Sequence, residues 1–203
     1  MSAASQLNDK QLEAMKYTKG PLLVLAGAGS GKTSVITRKI AYLVQQCGIP
    51  SHRITAMTFT NKAAKEMQER VNHLLKNKPQ GLTISTFHSL GLRILREEAK
   101  ALGYKPRFSI FDASDCFGIV SDLSGSVDKA TIRRLQTLIS NWKNARQTPD
   151  QARKTAADET EKLAALAYAS YSATLKAYQA VDFDDLIALP VTLFAAHPEL
   201  LDK

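Results

Sequence analysis

The stretch Leu22-Leu23-Val24-Leu25-Ala26-Gly27-Ala28-Gly29-Ser30-Gly31-Lys32-Thr33 runs from four consecutive apolar residues, through a glycine-rich turn, into a segment of a different period. Over residues 34–46, Val35, Ile36, Ile40, Leu43 and Val44 recur at helical spacing, and the apolar run in front predicts a buried strand. Strand, glycine turn, helix is the context in which the pattern G-x-x-x-x-G-K-[ST] acts as a phosphate loop. The chemistry asks for these residue types. Glycines let backbone N–H groups curl around phosphate oxygens, and the following helix turns its positive end to the same charge. Lys32 then reaches the β and γ phosphates, and Thr33 sets its hydroxyl on Mg²⁺. Ala26 stands where the strict pattern has glycine, a small residue for another. Ala26, Gly27, Ala28, Gly29, Ser30, Gly31, Lys32 and Thr33 are therefore the candidate cradle for a nucleoside triphosphate, with Thr33 the candidate metal ligand.

Outward from the loop the alternation continues. Residues 54–59 and 82–85 give further strand signals, each followed by an amphipathic helix: 61–75, with Ala63, Ala64, Met67, Val71, Leu74 and Leu75 inward, and a second through Leu90, Ile94 and Leu95. Alternating strands and helices imply right-handed crossovers and a parallel sheet, an α/β fold. Beyond a connector at 104–112 containing Pro106, the pattern predicts helices at 115–123, 128–146, 158–179 and 182–196. Ile132, Leu135, Leu138, Ile139 and Trp142 form one expected core stripe. Leu163, Leu166, Ser170, Tyr171, Leu175 and Tyr178 form another. Ser124-Gly125-Ser126 and Gln147-Thr148-Pro149 separate these helices, with Asp128 and Asp158 as caps.

Composition narrows the class. The chain has 203 residues, 44% hydrophobic and 23% charged, which is a folded domain rather than a disordered or fibrous chain. Two cysteines, Cys47 and Cys116, are too few for a disulfide framework and are expected as packing thiols in a reducing compartment. No apolar run approaches the roughly 18 residues of a membrane span, and the start lacks a basic patch followed by an apolar stretch. The chain is read as cytoplasmic. Its net charge of +8 is front-loaded: residues 1–100 carry 15 Lys and Arg against 6 Asp and Glu, residues 101–203 carry 12 against 13. A basic half attracts polyanions such as nucleic acid.

Five further segments occur in a fixed order: Leu7-Asn8-Asp9-Lys10-Gln11, then Thr58-Phe59-Thr60-Asn61-Lys62-Ala63-Ala64, Ser85-Thr86-Phe87-His88, Ile139-Ser140-Asn141-Trp142-Lys143-Asn144 and Val181-Asp182-Phe183-Asp184-Asp185-Leu186. Together with the loop they resemble the superfamily 1 DNA helicases of the UvrD, PcrA and Rep group, with the fourth segment resembling the Rep branch. The resemblance spans essentially the whole chain. It implies a RecA-like motor core over 1–88, an inserted helical subdomain over 89–180 and a return segment toward the core over 181–203. Gln11 resembles the glutamine that reads the adenine edge, against the plainer reading of an exposed helix residue. Phe59, Thr60, Asn61 and Lys62 match one DNA-contacting motif, Thr86, Phe87 and His88 the next, and Phe183 the phenylalanine that stacks on single-stranded bases. Thr60 and Asn61 can equally be an N-cap beside a solvated lysine. Phe59 and Phe87 would ordinarily be core rings, so Thr86 and His88 are favoured over either ring as DNA contacts. Ser34 stands where relatives often carry arginine, with Arg38 one turn on as its substitute.

The resemblance further implies ATP and Mg²⁺, 3′ to 5′ movement on single-stranded DNA toward a duplex junction, and a second RecA-like domain with an arginine finger. The Asp-Glu pair that holds Mg²⁺ and positions water in the family is absent from this chain, where Asp112, Asp184 and Asp185 are poor substitutes. The sheet is thus expected to be incomplete at its C-terminal end, and the isolated chain to bind ATP and DNA weakly without unwinding. Arg133, Arg134, Lys143 and Arg146 share one predicted helix and either meet duplex phosphates or form a solvated face. Competing readings are the motor subunit of a recombination helicase-nuclease, a non-catalytic nucleic-acid-binding module, and a small-molecule phosphotransferase.

Overall fold

The computed structural model of the chain describes residues 7–202; residues 1–6, part of the segment read as lacking a leader, and residue 203 lie outside that range. Two compact units divide the chain, Met1–Phe87 and His88–Lys203.

In the first unit the elements are α1 (Asp9–Lys16), α2 (Lys32–Gln45), β1 (Thr55–Thr58), α3 (Asn61–Leu75) and β2 (Thr83–Thr86). Asn8 starts α1 with a capping box: its side chain accepts from the Gln11 N–H while the Gln11 side chain accepts from the Asn8 N–H. β1 and β2 pair in parallel, from Thr55 opposite Thr83 to Thr58 opposite Thr86, and α3 is the crossover that parallel pairing requires. The core is Ile40 and Ala41 from α2, Ile54, and Met67, Val71 and Leu75 from α3. Ala64, Met67, Val71 and Leu75 are buried at helical spacing, so α3 presents one apolar stripe to the unit.

The expected strand at residues 22–25 does not form. The segment has no regular secondary structure and no ladder partner, and Leu23 and Leu25 are 81% and 86% exposed. An apolar run gives a strand only when another strand completes its hydrogen bonds, and among the described residues neither β1 nor β2 pairs with this segment.

The second unit contains α4 (Phe87–Glu97, its first residue at the unit boundary), β3 (Ser109–Ile110), α5 (Ala113–Ser124), α6 (Lys129–Asn144), α7 (Pro149–Thr155), α8 (Glu159–Ala177), β4 (Ala180–Val181) and α9 (Asp185–Ala196). Residues 181–203 group with these helices. Part of the predicted connector is β3, which pairs in parallel with β4 through Ser109 opposite Ala180 and Ile110 opposite Val181. Part of a predicted linker is α7. Thr148 caps it in a capping box with Gln151, and Pro149 occupies the first turn, where its missing N–H costs nothing.

One core joins Val120, Ile132, Leu135, Ile139, Ala164, Tyr168, Tyr171 and Leu175; a second joins Leu95, Ala99, Phe108, Val181 and Leu186. The expected stripe on α8 needs correction. Leu163, Leu166 and Tyr178 face solvent, while Ala164, Ala165, Ala167 and Tyr168 are buried. α8 packs against α5, α6 and α7 at once, so its buried face is wider than one stripe, and alanines admit close neighbours on it. Cys116 is buried as expected, whereas Cys47 is exposed. Among the described residues no helix is long and apolar enough to cross a membrane.

Candidate functional site

In the first unit the glycine-rich loop ends directly on α2. Gly29 and Gly31 have φ of 73° and 81°, left-handed values that a side chain would strain, and Gly31 is the N-cap of α2 with no side-chain hydrogen bond to the first turn. A Cβ on Gly31 would also stand 3.0 Å from Gln11 Nε2. Helix-start N–H groups without a side-chain cap are the donors that an anion uses. Gln11 Nε2 donates to the Ser30 carbonyl at 2.9 Å, so α1 is tied to the crest of the loop. Lys39 adds a second tie, donating to the carbonyls of Ala14 (3.0 Å) and Tyr17 (2.5 Å). Lys32 Nζ is folded back on its own loop, donating to the Ala26 carbonyl at 2.9 Å and that of Gly27 at 2.5 Å. Ala26, Ala28, Lys32 and Thr33 are exposed, so the loop faces solvent. Arg38 lines a cleft with Ser34 and Thr37 of α2 and Glu69, Arg70 and His73 of α3. The donor set fits a polyphosphate: uncapped N–H groups, a lysine and an exposed hydroxyl. No cluster of three or more His, Cys, Asp or Glu side chains suited to a metal occurs among the described residues.

The parallel register of β1 and β2 brings their carboxyl ends side by side. Thr60 is the N-cap of α3, its hydroxyl accepting from the Ala63 N–H at 3.1 Å, and Asn61 opens the helix. Thr86 is buried and its Oγ1 donates to Asn61 Oδ1 at 3.3 Å, so the hydroxyl favoured as a DNA contact is engaged with the Asn61 side chain. The rings expected in the core are outside: Phe59 is 100% exposed and Phe87 60%. Lys62 is exposed beside them.

In the second unit His88 and Phe183 form a ring pair, centroids 5.9 Å apart and tilted by 56°, with Phe183 56% exposed. Two devices set that pair. His88 sits in the first turn of α4 three residues before Gly91, where a Cβ would lie 1.8 Å from the Leu186 carbonyl oxygen, so only glycine permits the approach of α4 to α9. Phe183 sits between Asp182 and Asp185, which close a reciprocal ring: the Asp185 N–H donates to Asp182 Oδ1 at 2.9 Å and the Asp182 N–H to Asp185 Oδ2 at 3.2 Å. Lys143 of α6 reaches under this turn, 2.6 Å from Asp182 Oδ2 and 2.8 Å from Asp185 Oδ1. Tyr171 donates to Asp182 Oδ2 at 2.8 Å, and Asn144 Nδ2 to Asp184 Oδ1 at 3.0 Å.

Lys143 is thus buried, which corrects its reading as a residue for duplex phosphates or a solvated face. The signal was in the sequence: Ile132, Leu135, Ile139 and 143 follow one helical stripe, and that stripe ends on a lysine. A cation there requires a buried partner, and the acidic segment at 182–185 is the obvious source. Burial would lower the Lys143 pKa, but Asp185 and Asp182 outweigh it and hold the ammonium above its ordinary value. Burial would likewise raise Asp182, yet Lys143 draws it below the usual carboxylate range. Asp185 is pushed up to about 6 by burial, with the Asp182 charge adding and Lys143 opposing. Burial followed by the Asp182 charge raises the Tyr171 phenol.

Comparison with known proteins gives the family. Residues 7–203 match the UvrD/REP helicase N-terminal domain. The chain belongs to that family. Among UvrD/REP relatives, it is 48% identical over 199 residues to the ATP-dependent DNA helicase Rep of Escherichia coli (strain K12), covering 96% of this chain and 30% of that protein. It is 47% identical over 202 residues to the Rep helicase of Salmonella typhimurium, with 98% and 30% covered. To the ATP-dependent DNA helicase PcrA of Staphylococcus epidermidis it is 43% identical over 200 residues, with 97% and 27% covered. The chain therefore spans about 30% of the length of these UvrD/REP relatives. The acidic residues weighed as metal-holding substitutes have other work here. Asp112 caps α5 by accepting from the Ser114 and Asp115 N–H groups, and Asp185 is the partner of Lys143.

Proposed function

We propose that the chain is the N-terminal part of an ATP-driven DNA motor: a RecA-like phosphate-loop core in residues 1–88 and a helical subdomain inserted over 89–180, with the segment from 181 grouped with those helices in this chain. ATP with Mg²⁺ binds at residues 26–33, with Gln11 at the adenine edge, Arg38 assisting and Thr33 on the metal. Single-stranded DNA contacts Phe59, Thr60, Asn61, Lys62, Phe87, His88 and Phe183, while Thr86 supports Asn61. The complete protein steps 3′ to 5′ along one strand and opens the duplex junction ahead, its second RecA-like domain completing the ATP site.

The observation that carries this reading is the start of α2. Two left-handed glycines deliver the chain into a helix whose first turn has no side-chain cap, with Lys32 beside it and Gln11 fastened to Ser30. Hydrolysis of the bound triphosphate supplies the free energy of stepping. For its part, Lys32 must leave the Ala26 and Gly27 carbonyls to meet phosphate, exchanging two bonds to neutral acceptors for bonds to an anionic one. Exposed aromatic rings beside a helix N-terminus suit unpaired bases with their phosphates, because stacking is worth about 1–3 kcal/mol per base and tolerates any sequence.

The internally satisfied Lys32 is also the one observation that favours the second reading, a nucleic-acid-binding module whose loop takes no nucleotide. DNA and ATP assays on the purified chain separate the two. The motor reading expects salt-dependent binding of a single-stranded oligonucleotide, measurable nucleotide binding and negligible ATP hydrolysis by these residues alone. Robust DNA-stimulated hydrolysis, absent from Lys32→Ala purified identically, contradicts the expectation that hydrolysis requires the remaining domains.

A further inference from the structure

We propose that Lys143 is a positioning residue for single-strand binding: by bridging Asp182 and Asp185 it fixes the turn that holds Phe183 outward beside His88. This rests on reading Phe183 as a base-stacking side chain. Four observations carry it. The lysine is 7% exposed and contacts both carboxylates, at 2.6 and 2.8 Å, so it neither reaches solvent nor meets DNA directly. The two aspartates flank Phe183, and each backbone N–H donates to the other's carboxylate, which closes the turn that carries the aromatic into a ring. Tyr171 and Asn144 brace the same ring from α8 and α6. Finally, Phe183 borders a cavity of about 580 Å³ that is also lined by Phe111, Cys116, Val120, Ile139 and Tyr171.

That cavity explains why a lock is needed. Although Asp112, Arg133, Gln136, Thr137 and Ser140 also line the hollow, an exposed phenylalanine beside it gains by folding against its apolar side chains, since burying apolar surface is favourable. The ring stays out because its backbone is held. A buried ion pair is a poor source of net stability, its desolvation offsetting most of its attraction, but it is effective at selecting one geometry. Without the lysine, two buried carboxylates face each other with no counter-charge, the ring of hydrogen bonds opens, and Phe183 is free to turn into the cavity.

The test measures binding of the chain to a thymidine oligonucleotide carrying one 2-aminopurine, over a series of salt concentrations, with a circular-dichroism melt for every variant. Phe183→Ala weakens binding by about 5-fold or more. Lys143→Met weakens it by a similar factor and reduces the stacking-dependent quenching of 2-aminopurine. The salt slope is unchanged, and the Lys143→Met, Phe183→Ala double variant binds no more weakly than Phe183→Ala alone. Asp185→Ala, which removes one end of the bridge and the acceptor of the Asp182 N–H, gives the same pattern and stands in if Lys143→Met does not fold. A folded Lys143→Met or Asp185→Ala variant that binds like the parent overturns the proposal. So does a loss that adds fully to that of Phe183→Ala, or a salt slope reduced by about one in Lys143→Met, the mark of a direct phosphate contact. If Phe183→Ala alone binds as tightly as the parent, the stacking reading itself fails, and the positioning role fails with it.

Discussion

Gly91 and Leu186 meet backbone against side-chain space: a Cβ at residue 91 would lie 1.8 Å from the Leu186 carbonyl oxygen. Pro190 explains why that oxygen is there to be met. It sits inside α9 and has no N–H to offer the carbonyl four residues before it, which is that of Leu186. One proline and one glycine, nearly a hundred positions apart in the sequence, thus set the closeness of α4 to α9. His88 and Phe183 are carried on the two sides of that contact.

Gly91→Ala is therefore expected to push α4 from α9. Overpacking of this kind costs about 1–3 kcal/mol, and the upper end applies because the obstacle is backbone rather than a flexible side chain. A thermal melt checks the loss, and single-strand affinity should fall with it as the His88–Phe183 pair separates. A variant as stable as the parent would show that the two helices approach less closely than 1.8 Å implies.

The charge cluster around Lys143 gives a pH signature. Burial pushes Asp185 from an ordinary value of 3.8 up to about 6, with the Asp182 charge adding to the rise and Lys143 opposing it. A raised carboxyl binds its proton more tightly when folded, so its contribution to stability is full below 3.8 and is lost as pH rises through about 6. Asp182 is lowered, so its contribution is present above 3.8 and is lost only as pH falls through its depressed value. That of Lys143 is full below 10.5 and lost as pH rises through its raised value, outside the acidic range. Melting temperatures of the parent and Asp185→Asn, compared between about pH 7.5 and about pH 5, should therefore diverge in favour of the parent on acidification. A difference that stays constant, or shrinks, contradicts a raised Asp185.

Exposure on the sheet unit predicts an asymmetry between leucines. Leu23 is 81% exposed, so Leu23→Ala should change the stability of this chain by no more than about 0.5 kcal/mol. Leu135 is 0% exposed in the helical core, and Leu135→Ala should cost about 2–5 kcal/mol. Chemical denaturation of the two variants checks this. A large loss at Leu23 would mean that residues 22–25 do occupy a packed strand in solution.

Much of this was legible beforehand where local chemistry decides. The glycine loop before α2, the Thr60 cap and stripe of α3, and helices α5, α6, α8 and α9 follow from spacing and capping residues alone. What escaped depends on partners far apart in the chain. Residues 22–25 look like a strand because an apolar run does not name its neighbour. The alanines of α8 are core only because three helices surround it. Lys143 reads as surface until Asp182 and Asp185 are brought beneath it, although its place on the Ile132, Leu135, Ile139 stripe was a clue. Phe59 and Phe87 invert the usual rule for large rings, and that inversion is where binding is proposed.

The central claim is that residues 26–33 cradle a triphosphate, and calorimetric titration of a non-hydrolysable ATP analogue with Mg²⁺ into the chain tests it most directly. A saturable heat that disappears in Lys32→Ala, while the melting temperature of that variant stays at the parent value because Lys32 is exposed and bonds only its own loop, is the predicted result. No heat with the folded parent, or the same heat with Lys32→Ala, would contradict it.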